Sequence, residues 1–219
     1  MFLILDTETN GRTLHGVWTN KQHIIRLSYS IVDSSTYKIV KKRDYFISDV
    51  ATKIYASQTT YTTDDIKKGE NWEKVFKELV EDIRSLPPKS KIIAHNISFD
   101  STVIIFSAKC KQLNQDLIDE FTRNVHEKGW CSMKGTVNLC KLLPMRYDNY
   151  KFPKLIELYQ HLYKNNTENN TMKNHSNNIN TSKNNNNQHN KNTTDAMNNV
   201  EILIKCVQKL NAIYKSKKT

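Results

Sequence analysis

The stretch Phe2-Leu3-Ile4-Leu5-Asp6-Thr7-Glu8-Thr9-Asn10-Gly11 carries the decisive pattern of the chain. Four apolar residues run into two acids spaced i, i+2, and a glycine follows. A short apolar run bounded by a turn residue is the pattern of a buried strand. Residues two apart in a strand share a face, so Asp6 and Glu8 stand side by side at the strand end. Two neighbouring carboxylates repel unless a cation lies between them. The same acids would also suit a solvated strand end, and this stretch alone leaves both readings open.

Outward from it, a polar stretch with His15, Gly16 and Trp18 is expected to form a loop beside the acids. Residues 23–33 and 37–47 are rich in β-branched residues and form two further strands, joined through Asp33-Ser34-Ser35. Three strands without an intervening helix predict an antiparallel meander. The period then changes. Trp72, Val75, Phe76, Leu79, Val80 and Ile83 recur at helical spacing over 71–85, and Pro87-Pro88 stops that helix. Lys91-Ile92-Ile93-Ala94-His95-Asn96 is a short strand, followed by helices over 101–111 and 117–125, a last strand over 128–132, and a helix over 133–143. A helix over 153–163 opens on Pro153, where a missing N–H is tolerated, and a long amphipathic helix spans 194–215. This order predicts a mixed α/β domain.

Residues 164–192 are dominated by Asn, with few apolar side chains. They cannot bury enough surface to offset their ordering entropy and are expected to be a disordered insertion between two helices. The expected organisation is one domain over 1–219 containing that insertion. Net charge is +11, from 33 Lys and Arg against 22 Asp and Glu, which points to a polyanionic partner such as nucleic acid. A generally Lys-rich proteome would give the same balance. The four cysteines, Cys110, Cys131, Cys140 and Cys206, show no C-x-x-C pairing, which argues against a zinc site and a disulfide framework and for a reduced, intracellular chain. The opening apolar run is too short for a signal peptide or a membrane span.

Two more acids occupy informative positions. Asp100 follows Ala94-His95-Asn96-Ile97-Ser98-Phe99, and Asp195 opens the last helix. Each could simply cap a helix. Taken with Asp6 and Glu8, they make the chain resemble the DnaQ-like 3′→5′ exonucleases, the DEDD group that includes the proofreading epsilon subunit of bacterial DNA polymerase III. Asp6-Thr7-Glu8-Thr9-Asn10-Gly11 resembles the group's first motif and Ala94-His95-Asn96-Ile97-Ser98-Phe99-Asp100 its second. Residues 133–142 and Phe152-Pro153-Lys154-Leu155-Ile156-Glu157-Leu158-Tyr159 resemble a connecting region. Asp195-Ala196 resembles the third motif.

The resemblance implies an RNase H-like fold, a mixed central sheet flanked by helices. It also implies that Asp6, Glu8, Asp100 and Asp195 ligate two divalent cations, Mg²⁺ or Mn²⁺. Hard cations take oxygen ligands, and such a pair activates water for in-line attack on a phosphodiester. The family places a Tyr or a His before the last Asp as general base. The Tyr position is Lys191 here, and the nearest His is His189, with five residues before Asp195 where the family has four. His189 is the expected base, with His175 as the outsider. Thr7, Thr9, Asn10 and Gly11 match a region that meets the terminal nucleotide, and Asn96 and Phe99 match substrate-strand positions.

Trp18, Tyr147 and Tyr150 suit either base stacking or packing, and Lys215, Lys217 and Lys218 form a basic tail. His95 is expected to have no catalytic duty. The expected function is therefore release of nucleoside monophosphates from single-stranded DNA with a free 3′ end, alone or as proofreading for a separate DNA polymerase. The alternatives are a 3′→5′ exoribonuclease and a non-catalytic nucleic-acid-binding accessory module.

Overall fold

A computed structural model describes residues 1–11, 23–50, 61–143, 149–164 and 195–216. Among them the element order is β1 (Phe2–Thr9), β2 (Ile24–Val32), β3 (Ile39–Phe46), α1 (Thr63–Lys67), α2 (Trp72–Arg84), β4 (Lys91–Ala94), α3 (Ile97–Cys110), α4 (Gln115–Lys128), β5 (Gly129–Cys131), α5 (Ser132–Gly135), α6 (Val137–Cys140), α7 (Leu155–Lys164) and α8 (Ala196–Ser216). The five strands form one sheet in the order β3-β2-β1-β4-β5. β1 pairs antiparallel with β2, and β2 antiparallel with β3, which is the expected meander. β4 and β5 continue the sheet in parallel with β1.

β1 lies at the centre because it is apolar on both faces. Leu3 and Leu5 enter a core shared with Trp72, Phe76 and Leu79 of α2, Val103 and Ile104 of α3, and Phe121 of α4. Ile4 enters the opposite core with Leu158 of α7 and Val200, Leu203 and Val207 of α8. Strand alternation carries this partition onward. Asp6 and Glu8 continue the face of Ile4, toward α8, and Thr7 continues that of Leu5, toward α3.

The periodic segments behave as their patterns require. In α2, Asn71 caps the helix by accepting from the amides of Glu73 (2.9 Å) and Lys74 (3.4 Å). Its apolar stripe is buried, and Phe76 lies between the rings of Trp72 and Phe121 at centroid distances of 5.6 and 5.8 Å. Truncating so enclosed a ring costs about 3–5 kcal/mol.

Four expectations need correction. The helix expected over 133–143 is two four-residue helices, α5 and α6, broken at Thr136. Gly135 packs beneath the Trp130 indole, where an added Cβ would lie 2.9 Å from the ring, and the Thr136 hydroxyl donates back to the Ser132 carbonyl at 2.7 Å. Tertiary packing thus overrides a helical pattern. α3 starts at Ile97, four residues before its expected start. α7 starts at Leu155, so Pro153 precedes the helix. α1 was not anticipated, although Thr62 and Asp65 form a reciprocal capping box there. Lys164, the first residue of the expected insertion, closes α7, while residues 165–192, Trp18 and Tyr147 lie outside the described residues. All four cysteines are free. Among the described residues no helix is long and apolar enough to cross a membrane.

Candidate nuclease site

The parallel arrangement of β1 and β4 brings two chain segments to the same end of the sheet. β1 ends in Asp6 and Glu8. β4 ends at Ala94, and the chain turns through His95 and Asn96 into α3. Asn96 makes this turn with φ 120°, a left-handed conformation uncommon for a side-chain-bearing residue. Its carbonyl accepts from the Phe99 amide at 2.7 Å, starting the helix at once. Asp100 then falls in the first turn and points inward, 3% exposed.

Asp100 is held by Thr7, which donates both its amide (3.0 Å) and its hydroxyl (2.8 Å) to Oδ1. From the opposite face, α8 delivers Asp195 and Asn199. Asp195 caps the helix, with Oδ1 accepting from the Asn198 amide at 2.8 Å. One turn on, the Asn199 amide group donates to Asp6 Oδ2 at 3.1 Å. The Ala196 amide donates to the Glu8 carboxylate, tying the end of β1 to the start of α8.

Electrostatics mark the cluster as short of positive charge. Burial pushes the Asp6 carboxyl well above its ordinary value, and the charges of Asp100, Glu8 and Asp195 push the same way. Burial raises Asp100 to about 7 against the pull of the two Thr7 hydrogen bonds. Glu8 is also raised by burial, with opposing help from Tyr61, Arg26 and the Ala196 amide. The donors are carboxylate oxygens, which suit a hard divalent cation. A divalent ion beside them would offset the repulsion and the burial cost together, and the donor type suits one. Among the described residues no three His, Cys, Asp or Glu stand close enough together to hold a metal ion.

Of the other expected site residues, Thr9 donates its hydroxyl to the Gly11 carbonyl at 3.1 Å. Asn10 pairs with His23 through its amide (3.0 Å) and its side-chain oxygen (2.8 Å), closing the strand end against β2. Gly11 has φ 153°, which favours glycine. Phe99 is partly buried against the α2–α4 core. Tyr150 is exposed, and Lys215 lies in the last turn of α8. His189, His175, Lys217 and Lys218 lie outside the described residues.

His95 is a clamp. Its Nε2–H donates to the Pro153 carbonyl (2.9 Å), and Nδ1 accepts from the Ser132 hydroxyl (2.8 Å). Burial lowers its basicity and favours this neutral form.

Three residues near the acids escaped sequence reasoning. Asn199 had a readable signal, since it lies four residues after Asp195 and shares its helical face. Arg26 also had one. It is the only charged residue in an apolar strand and is the cross-strand partner of Glu8. Tyr61 donates its hydroxyl to Glu8 Oε1 at 3.1 Å, and nothing in its local sequence announces that.

No protein-family model matches the sequence, and no curated protein matches it. Solved structures do match in fold. A 3′-exonuclease recognising the 3′ end of a histone mRNA stem-loop is 13% identical, with 96% of this chain and 81% of that one covered and a TM-score of 0.63. The nuclease domain of 3′hExo, a DEDDh family member bound to rAMP, is also 13% identical, with 96% and 92% covered and a TM-score of 0.63. The zinc-bound form of the E. coli exonuclease I complex with single-stranded DNA is 15% identical, with 93% of this chain but only 39% of that one covered and a TM-score of 0.60. These likenesses establish the mixed α/β, RNase H-like exonuclease fold.

Proposed function

We propose that the chain is a metal-dependent 3′→5′ exonuclease that releases nucleoside monophosphates from single-stranded ends, with DNA as the first substrate to try. One observation carries this reading. Glu8, Asp100 and Asp195, from three distant segments with Asp6, all lie near enough for their charges to raise the Asp6 carboxyl, on a sheet whose architecture is that of solved 3′-exonucleases.

In this reading the four acids hold two divalent cations, Mg²⁺ or Mn²⁺. When bound, such ions supply activation of water and stabilisation of the leaving oxygen. The chain's own groups do the rest. Thr7 fixes one oxygen of Asp100 and leaves the other for ligation. Asn199 holds Asp6. Asp195 uses one oxygen as a helix cap and keeps Oδ2 toward the site. His189 takes the proton from the attacking water. Thr7, Thr9, Asn10, Gly11, Asn96 and Phe99 line the approach of the terminal nucleotide, with Thr7 acting through Asp100.

RNA is the second reading, and it is favoured by the two neighbours whose ligands are a histone mRNA stem-loop and rAMP. The distinction rests on contacts to the 2′-OH.

The test uses 5′-labelled DNA and RNA oligomers of one sequence with Mg²⁺ or Mn²⁺, comparing wild type with Asp6→Asn and His189→Gln. Stepwise shortening from the 3′ end is expected for wild type. Asp6→Asn should lose at least about a hundredfold in rate, and His189→Gln should lose the limb of the pH–rate profile belonging to the base. Shortening that persists undiminished in Asp6→Asn would mark the activity as a contaminant and defeat the reading. A silent His189→Gln would remove only the base assignment.

A further inference from the structure

Arg26 is a buried cation beside the acids. It stands in β2 directly across from Glu8, and its side chain is 9% exposed. Asp44 on β3 accepts from its Nε at 2.9 Å and from its Nη2 at 2.7 Å, a bidentate pairing that fixes the guanidinium plane. Ser28 donates its hydroxyl to the same Asp44 at 2.7 Å, so the anchor is itself anchored. The rings of Phe46 and Tyr61 lie 4.9 and 5.2 Å from the guanidinium carbon and hold it further. What remains is Nη1, and it faces the acids. It donates to the Tyr61 hydroxyl, which in turn donates to Glu8 at 3.1 Å, and it lies 3.6 Å from Asp195 Oδ2.

The four acids are therefore supported unequally. Asp6 and Asp100 are held by neutral donors, Asn199 and Thr7. Glu8 and Asp195 share one buried cation. We propose that Arg26 is a positioning residue for the nuclease site, fixing Asp195 directly and Glu8 through the Tyr61 hydroxyl, and that its charge competes with the divalent cation on that side of the site. This rests on the reading of the four acids as metal ligands.

Two consequences separate this role from a purely structural one. A guanidinium holds its charge at every working pH, so its repulsion of a cation beside Asp195 is permanent. Removing the charge then tightens metal binding while it loosens the ligands. Replacing it with lysine keeps the charge but loses the planar fork that reaches Asp44 and Tyr61 together.

The experiment is calorimetric titration of the full chain with Mn²⁺, paired with steady-state cleavage of an oligonucleotide. The double substitution Arg26→Gln with Asp44→Asn leaves no unpaired Asp44 carboxylate behind and takes the positive charge away from Glu8 and Asp195. It is expected to bind Mn²⁺ about fivefold more tightly than wild type, from the Coulomb term at intermediate screening, and to turn over more slowly. Arg26→Lys is expected to bind Mn²⁺ within about twofold of wild type while kcat falls about tenfold. Tyr61→Phe keeps every charge, and it guards against misfolding of the double variant. It should lower kcat with Mn²⁺ affinity unchanged. Mn²⁺ binding in the double variant no tighter than wild type, or a Tyr61→Phe chain with full turnover, overturns the proposal. A wild-type chain that binds no Mn²⁺, or an Asp6→Asn chain that binds it as wild type does, overturns the metal-site reading instead.

Discussion

Thr7 gives both its backbone amide and its hydroxyl to one oxygen of Asp100, at 3.0 and 2.8 Å, across a gap of 93 residues in sequence. The bond is a consequence of alternation in β1. Thr7 faces α3 because Asp6 and Glu8 face α8, so the residue between the two acids is the one that orients the third. Thr7→Val keeps the shape and the amide but removes the hydroxyl. At pH 8 it should cost about 1–3 kcal/mol in urea denaturation, as expected for a lost bond to a charged acceptor, and should lower the cleavage rate about tenfold. Thr7→Ser should recover most of both. Wild-type stability in Thr7→Val would show that the hydroxyl does not hold Asp100.

Asp100 also predicts a pH dependence. Its carboxyl is raised from 3.8 to about 7 in the folded protein, chiefly by burial. Between those values the native state keeps a proton that the unfolded chain has released. Stability attributable to this group therefore falls as pH rises through the window, and the full cost is felt above about pH 7. Asp100→Asn abolishes the charge and can still accept from Thr7. In metal-free buffer its melting temperature should exceed that of wild type at pH 8 by more than at pH 5. The lowered His95 is common to both chains and largely cancels, whereas Asp6, which the Asp100 charge also raises, is relieved in Asp100→Asn and widens the difference at pH 8 in the same direction. Mg²⁺ added at pH 8 should then raise the melting temperature of wild type more than that of Asp100→Asn. A difference independent of pH would refute the raised carboxyl.

Much of this was legible in the chain because it depends on local period. The alternation of Leu3, Ile4 and Leu5 between two cores, the stripe of α2 and the meander of β2 and β3 all follow from spacing. Each of the four acids stood out because it sits at the edge of an element that spacing had located, but their grouping into one site rests on the family resemblance and not on spacing. What was not legible depends on packing between distant elements. The break at Thr136 needs the Trp130 ring over Gly135. The inward aim of Asp100 needs the positive φ of Asn96. The link from Arg26 to Glu8 needs Tyr61, which enters from beyond β3 and whose neighbours in sequence carry no hint of it.

Asp195 has two duties that substitution can separate. Oδ1 caps α8, and Oδ2 faces Arg26 and the site. Serine is a good cap but offers no carboxylate. Asp195→Ala should lose about 1 kcal/mol of stability together with nuclease activity, whereas Asp195→Ser should recover the stability and leave the activity absent. Thermal melts and the oligonucleotide assay read the two separately. A Asp195→Ser chain with normal activity would reduce Asp195 to a cap alone.

The Asn-rich insertion can be shortened to a limit set by geometry. Near the end of α7, the Tyr163 hydroxyl donates to the Lys205 carbonyl at 2.9 Å, so this part of α7 lies beside the middle of α8. From Lys205 back to Asp195 is ten residues of helix, about 15 Å at 1.5 Å per residue. An extended chain covers that distance in about five residues. Deleting 165–185 leaves nine residues, 186–194, for the span, and retains His189. Loop length itself costs little, since each halving changes closure entropy by only about 0.6 kcal/mol. The deletion should leave the melting temperature within a few degrees of wild type and preserve cleavage, whereas cutting to three residues should destabilise α7 or α8. A large loss of stability from the first deletion would mean that residues 165–185 pack against the domain.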